Sequence, residues 1–244
     1  MAATSNKGVI TINLSTYWGS GHPDEIHAIK TRINGANAEA RPWAIWTAEI
    51  DACLALREVR HSNVPLVVTG HCPIALACRF ARPFRSGTRK ITYVDSQHGE
   101  YVVNNNEFRE WYTPDPLHKM MLTETIETFA AHSWPIVVIA LSCTVSPQQL
   151  GSRIPVCIAT WCFAEPFTPA HTLQFRDNIY VLLRDLHRRF PVARFAFAAT
   201  GENVALAMLF ATVYNVLIYG QLILLEPVNG VYQEVSTLAA AHAM

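Results

Sequence analysis

The sequence has no surplus of charge of either sign: 19 basic and 19 acidic side chains cancel, and only 16% of the 244 residues are charged. Duplex nucleic acid and anionic bilayers are held by an excess of Lys and Arg, so neither is an expected partner. A small anionic ligand is compatible with the balance. The N-terminus, Met1 to Gly8, lacks the apolar core of a secretory signal, which points to the cytoplasm. The six cysteines, Cys53, Cys72, Cys78, Cys143, Cys157 and Cys162, contain no C-x-x-C pair and no zinc-finger spacing to a His pair, so they read as thiols, with no metal and no cofactor expected. The one uncharged run long enough to span a bilayer, from Asn203 to Leu225, is interrupted by Asn215, Gly220 and Gln221 and ends in the β-rich Leu222-Ile223-Leu224-Leu225. It reads as helix, turn and strand.

Catalytic signatures are scarce as well. Tyr17-Trp18-Gly19-Ser20-Gly21 lacks the Lys and Ser/Thr of a phosphate-binding P-loop and the third glycine of a dinucleotide fingerprint, and no G-x-S-x-G elbow occurs. Cys72 follows His71 and Ser142 ends an apolar run, but a nucleophile needs a base beside it in space, which spacing alone does not supply. Cys72 reads as a buried structural thiol.

What is present is a duplication. Gly70-His71-Cys72-Pro73-Ile74-Ala75-Leu76-Ala77 matches Thr200-Gly201-Glu202-Asn203-Val204-Ala205-Leu206-Ala207, each after an apolar run. Ile91 to Asp95 then matches Leu222 to Glu226, and Gly99-Glu100-Tyr101 matches Gly230-Val231-Tyr232. Upstream, Ile10 to Ser15 parallels Val137 to Ser142, and Leu56 to Arg60 parallels Leu183 to His187, the offset moving only between 127 and 131 residues. A repeat fixes the architecture. Each half, 1–115 and 116–244, reads as a buried strand, a long loop, an amphipathic helix (about Thr47 to His61, and Leu173 to Arg189), a second strand, a turn into a short helix, and a third strand ending in a Gly-x-Tyr hairpin. A helical run from about Leu117 to His132 is expected in the joining segment. Near-continuous apolar strands alternating with helices give an α/β fold with mostly parallel sheets, the two units related by a pseudo-two-fold.

Ligands of such sheets bind at the strand carboxyl ends. Those positions are Ser15, Thr16, Tyr17, Trp18 and Gly19; Gly70, His71 and Cys72; Ser142, Cys143 and Thr144; and Thr200, Gly201, Glu202 and Asn203. Backbone N–H groups at the helix starts suit an anion such as phosphate. Thr200 and Asn203 also have the chemistry of plain helix caps, and both roles stay open. Trp18 is a candidate to stack on a base or to pack over the sheet edge, and Trp43, Trp46, Trp161 and Phe163 are expected in the long loops. The basic stretch Arg82 to Lys90 lies on the opposite side and reads first as a solvated loop, second as a subunit contact and third as a phosphate-binding loop.

Strands ending in Leu-Ser, turns into a helix containing Ala-Leu-Ala, and Gly-x-Tyr hairpins, all twice, resemble a SAVED domain over about Val9 to Val235. That resemblance implies two fused CARF-like, Rossmann-type units. It further implies a sensor, not an enzyme, that binds a cyclic oligonucleotide such as cyclic tri-adenylate between the halves in CBASS or type III CRISPR antiviral defence. Ligand-induced head-to-tail homo-oligomers and a nuclease, TIR, protease or CHAT effector, fused or in a partner subunit, belong to the same expectation; no part of this sequence is left for one. A Rossmann-like enzyme acting on a nucleoside or NAD, and a purely structural subunit, are the alternatives.

Overall fold

The computed structural model describes residues 8–14, 27–28, 43–61, 63–105, 108, 118–124, 136–141, 145–151, 157–163, 167–198, 203–218 and 221–235. In the first half the apolar run Ile10–Asn13 forms β1, followed by β2 (His27–Ala28), α1 (Trp43–Ala55), α2 (Arg57–Arg60), β3 (Leu66–Thr69), α3 (Ile74–Ala81) and the hairpin β4 (Ile91–Asp95) and β5 (Gly99–Asn104). The second half contains β6 (His118–Glu124), β7 (Ile136–Leu141), β8 (Cys157–Phe163), α4 (Thr172–Arg189), β9 (Arg194–Ala198), α5 (Val204–Leu217), β10 (Leu222–Val228) and β11 (Val231–Glu234). Single 3-10 turns stand at Pro147–Leu150 and Pro169–His171.

The duplication is visible in the topology. Among the described residues one sheet runs β2-β1-β3-β4-β5 and the other β11-β10-β9-β7-β8-β6. Read outward from the hairpins, the two orders coincide strand for strand, and β6 is an added edge. Each hairpin is antiparallel and the four inner strands of each half are parallel. The register agrees as well: Leu66 lies opposite Ile91, and its repeat mate Phe195 lies opposite Leu222. The equivalent helices α3 and α5 pack against each other, as a pseudo-two-fold requires. Both are apolar around most of their circumference and buried at nearly every position, the pattern of helices with partners on all sides. One continuous core therefore runs through both halves, from Ile12, Leu66 and Phe80 to Phe175, Phe197 and Phe210. A smaller cluster on the outer face of the second sheet holds Val138, Ala140, Ile158, Leu225 and Tyr232.

Several expectations are corrected. The joining segment is not helical at its start: His118–Glu124 is a strand paired antiparallel with β8. Met120, Met121 and Leu122 are good helix formers, and pairing with a long partner strand overrides that propensity. The rest of the expected helix, to His132, lies outside the described residues. Each long loop contains a further parallel strand, β2 or β8, so Trp161 and Phe163 are strand residues; Trp43 and Trp46 begin α1, with Trp46 in the core. The first helix starts at Trp43 and breaks at Leu56, whose extended backbone (φ −64°, ψ 129°) turns α2 so that Val59 is buried. Leu173–Arg189 is helical as expected, starting one residue earlier.

The basic stretch is not simply solvated. Arg89 is 4% exposed and donates to the carbonyls of Val64, Val59 and, at 3.2 Å, Glu58. The Ser86 amide donates to Thr212 of α5, and the Gly87 amide to Asn104 Oδ1. Arg85 and Lys90 are the basic residues of the stretch that stay exposed.

Candidate functional site

Parallel strands of both halves end on the same side of the molecule, where the starts of α3 and α5 also lie. β3 ends at Thr69, and Gly70 turns the chain with φ at +90°, a conformation that costs glycine little. Its carbonyl accepts a hydrogen bond from Tyr93 Oη at 2.9 Å. His71 is exposed, Cys72 is buried, and α3 begins two residues later. Across the pseudo-axis Asn203 caps α5, its Oδ1 accepting from the Leu206 amide at 3.0 Å. Burial and the Asp95 carboxylate raise the Tyr101 hydroxyl of the first half above its ordinary value, and Asn203 offsets part of that effect. Tyr101 Oη donates in turn to the Phe167 carbonyl at 3.4 Å, and the two rings stack at 5.1 Å.

The electrostatics also join the halves. Burial, aided by the nearby Glu226 carboxylate of β10, pushes the Cys72 thiol up to about 12, the Ala77 amide offsetting part of the effect. Such a thiol is neutral at physiological pH and is no nucleophile. Alkylating reagents should accordingly leave Cys72 unmodified in the folded chain and react with it only after denaturation, as peptide mass mapping will read; labelling of native Cys72 within minutes would contradict this burial. Burial raises Tyr93 above its ordinary value, with Cys72, Asp95 and Tyr101 adding to it. Asp95 is opposed by burial, yet the amides of Gln97 and His98 and the His98 ring hold its carboxyl below the usual range. Asp95 and Glu226 are equivalent in the repeat, Asp95 at the end of β4 and Glu226 within β10, and Glu226 is 7% exposed.

Of the residues singled out by sequence, Gly70, Cys72 and Asn203 are brought into this shared frame and His71 lies exposed beside it. Trp161 and Phe163 lie at the end of β8, where Trp161 is opposite Leu141, the residue before Ser142. Ser15, Thr16, Tyr17, Trp18, Gly19, Ser142, Cys143, Thr144, Thr200, Gly201 and Glu202 lie outside the described residues. Sequence reasoning missed Tyr93, Asp95, Tyr101, Phe167 and Glu226 as site residues. Four of them stood in the repeat blocks, Tyr93 and Asp95 in Ile91 to Asp95, Tyr101 in Gly99 to Tyr101, and Glu226 in Leu222 to Glu226, and matching blocks at strand ends were the available signal. Phe167 had none. Among the described residues no three His, Cys, Asp or Glu side chains are arranged to hold a metal, and no helix is long and apolar enough to cross a membrane.

No family model matches the sequence, and no curated protein matches it. Solved structures do. The SAVED/CARF-domain containing receptor Cap4 of Acinetobacter baumannii, with the cyclic trinucleotide 2'3'3'-cAAA, superposes with a TM-score of 0.60 at 14% identity, over 92% of this chain. The fold is that of a SAVED/CARF domain. The same receptor with 3'3'3'-cAAA gives 0.60 at 15% identity, and a third structure of it gives 0.58 at 16%, again over 92% of this chain. The matches cover 50%, 50% and 48% of the receptor, so the chain spans about half of the receptor's length.

Proposed function

We propose that the chain is the sensor module of an antiviral effector system and binds a cyclic oligonucleotide, cyclic tri-adenylate or a related cyclic trinucleotide, between the halves 1–115 and 116–244. The observation that carries this reading is the convergence of equivalent elements from both halves, with Tyr101 of the first half hydrogen-bonded to the Phe167 carbonyl and stacked on its ring, and Cys72 within electrostatic reach of Glu226. The sequence is duplicated but the residues it equates differ: Gly70 with Thr200, Cys72 with Glu202, Pro73 with Asn203, Asp95 with Glu226. Two unlike halves suit a ring without two-fold symmetry, as a three-membered ring is. Carboxylates accept hydrogen bonds and repel phosphate, so Asp95 and Glu226 suit ribose hydroxyls or base amino groups, and backbone N–H groups at the helix starts suit the phosphates. Two of the similar structures are of a receptor with a cyclic trinucleotide.

In this reading Ser15 to Gly19, Ser142 to Thr144, Thr200 to Glu202, Trp161 and Phe163 complete the site. Trp18 is the stacking partner of one base. Trp18→Ala should then weaken binding by about 1 to 3 kcal/mol in a calorimetric titration, and an unchanged dissociation constant would return Trp18 to packing. His71→Glu should abolish binding with an unshifted melting temperature, because the side chain is exposed; unweakened binding would remove the β3 end from the site. Asn203→Glu should abolish binding too, with a loss of about 1 kcal/mol of stability from the cap.

Ligand binding drives head-to-tail assembly in this account, and the effector, of nuclease, TIR, protease or CHAT type, resides in a fused or partner segment. A head-to-tail contact between unlike faces closes into a ring or grows into a filament. Arg85 and Lys90 are the basic contribution to the mating surface, facing acidic residues around Glu124 and Glu127; of these, Glu124 stands on β6 and Glu127 is outside the described residues. Light scattering with cyclic trinucleotide at two ionic strengths tests it. Assembly that salt weakens supports the mating surface, and a tightly bound ligand on a monomer refutes assembly.

A further inference from the structure

We propose that Tyr93 and Tyr101 brace the two halves of the site at a fixed spacing and so determine the size of the ring it accepts; this rests on the cyclic-oligonucleotide reading above. The two tyrosines are direct partners across the β4–β5 hairpin, hence on one face of it, and are 4% and 3% exposed. Their hydroxyls diverge. Tyr93 donates to the Gly70 carbonyl at the end of β3, whereas Tyr101 reaches into the second half, to the Phe167 carbonyl ahead of α4. The Phe167 ring, stacked on Tyr101, leans in turn on Phe175 of α4 at 4.9 Å. One hairpin thus ties the strand-end turn of its own half to the segment ahead of α4 in the other. Burial raises both hydroxyls above their ordinary values, so they stay protonated donors across the physiological range.

The repeat mate of Tyr93 is Leu224, which has no hydroxyl, and the mate of Tyr101 is Tyr232. The second hairpin has a different register: Tyr232 lies opposite Pro227, not Leu224, and is buried in the outer cluster with Val138 and Leu225. The two hairpins therefore hold their tyrosines differently, and the Tyr93 and Tyr101 hydroxyl bonds add to the packing of α3 on α5 that joins the halves. Removing them leaves the sheets intact and relaxes the gap, which favours rings of the wrong size relative to the right one.

The test uses the full chain and its Tyr93→Phe, Tyr101→Phe and Tyr232→Phe variants, titrated calorimetrically with cyclic di-, tri- and tetra-adenylate, with a thermal melt of each. Wild type should prefer the three-membered ring. Each of the first two variants should lose about five- to tenfold in affinity for it, the scale of one hydrogen bond. The preference over the other rings should shrink by a similar factor, while Tyr232→Phe binds as wild type. The Tyr93→Phe and Tyr101→Phe variants are read separately, so either serves if the other fails to fold. A purely structural role would lower the melting temperature and weaken all rings alike. An unchanged preference in the Tyr93 and Tyr101 variants, or a wild type that binds rings of all sizes equally, overturns the brace; a wild type that binds none of them refutes the sensor reading, and the brace falls with it.

Discussion

Asp177→Ala is expected to cost about 3 to 5 kcal/mol of folding stability, the usual loss when one partner of a buried ion pair is removed. Arg176 has no exposed surface and Asp177 is 4% exposed, although both lie on α4, a helix whose other buried positions are mostly apolar. The Arg176 Nε donates to Asp177 Oδ1 at 2.8 Å, and Nη2 donates to the same oxygen. Phe108, from the segment that follows β5, lies 4.7 Å from the guanidinium. Without the carboxylate a charged group stays in the core, close to where the halves meet. In a chain of this length the melting temperature should fall by roughly 6 to 20 °C. Arg176→Met combined with Asp177→Leu should recover much of that loss, because well-packed apolar residues of similar volume replace a buried pair at little cost. A melting temperature within two degrees of wild type for Asp177→Ala, by circular dichroism, would show that the pair does not carry the stability its burial implies.

Arg89→Met should destabilise by about 2 to 4 kcal/mol, since it keeps the apolar stem but leaves the carbonyls of Glu58, Val59 and Val64 without their donor. Burial lowers the guanidinium only to about 10, so Arg89 is charged at neutral pH and its hydrogen bonds are charge-assisted. It secures the end of α2 and the turn into β3, the strand that delivers Gly70 to the site. Arg89→Lys should recover part of the loss at most, because one ammonium does not reproduce the planar fork that reaches three carbonyls. Urea unfolding of both variants measures this. Equal stability of the Met and Lys variants with wild type would make the Arg89 contacts incidental.

The parallel core strands were legible because β1, β3, β4, β7, β9 and β10 are near-continuous apolar runs, and the repeat fixed their order before any contact was known. The Asn203 to Leu225 run divides into α5 and β10, as the polar interruption in it implied. Strand β6 was not legible: Met120, Met121 and Leu122 favour helix locally, and only pairing with β8 makes them a strand. Strand β8 carried its signal, with Ile158, Thr160, Trp161 and Phe163 in one short run, but lay in a segment that the repeat had framed as loop. The shared frame of the site was half legible. Gly70, Cys72 and Asn203 follow from their places after strands, whereas Tyr101 and Glu226 depend on which side of a hairpin faces the other half, and that is set by register. Tyr101 and Tyr232 are the clearest instance, since the same Gly-x-Tyr sequence buries its tyrosine in the shared frame in one half and on the outer face in the other. Arg89 shows the converse, a basic residue in a basic loop that is spent inside the fold.

The central claim is that both halves together form one site for a cyclic trinucleotide. The most direct measurement is the stoichiometry of a calorimetric titration of the full chain with cyclic tri-adenylate, flanked by cyclic di- and tetra-adenylate. The account predicts one three-membered ring bound per chain, tighter than either other ring, and its loss on His71→Glu in the first half and Asn203→Glu in the second. Two rings per chain, or a saturating signal that survives either substitution, or no binding of any ring, would contradict it.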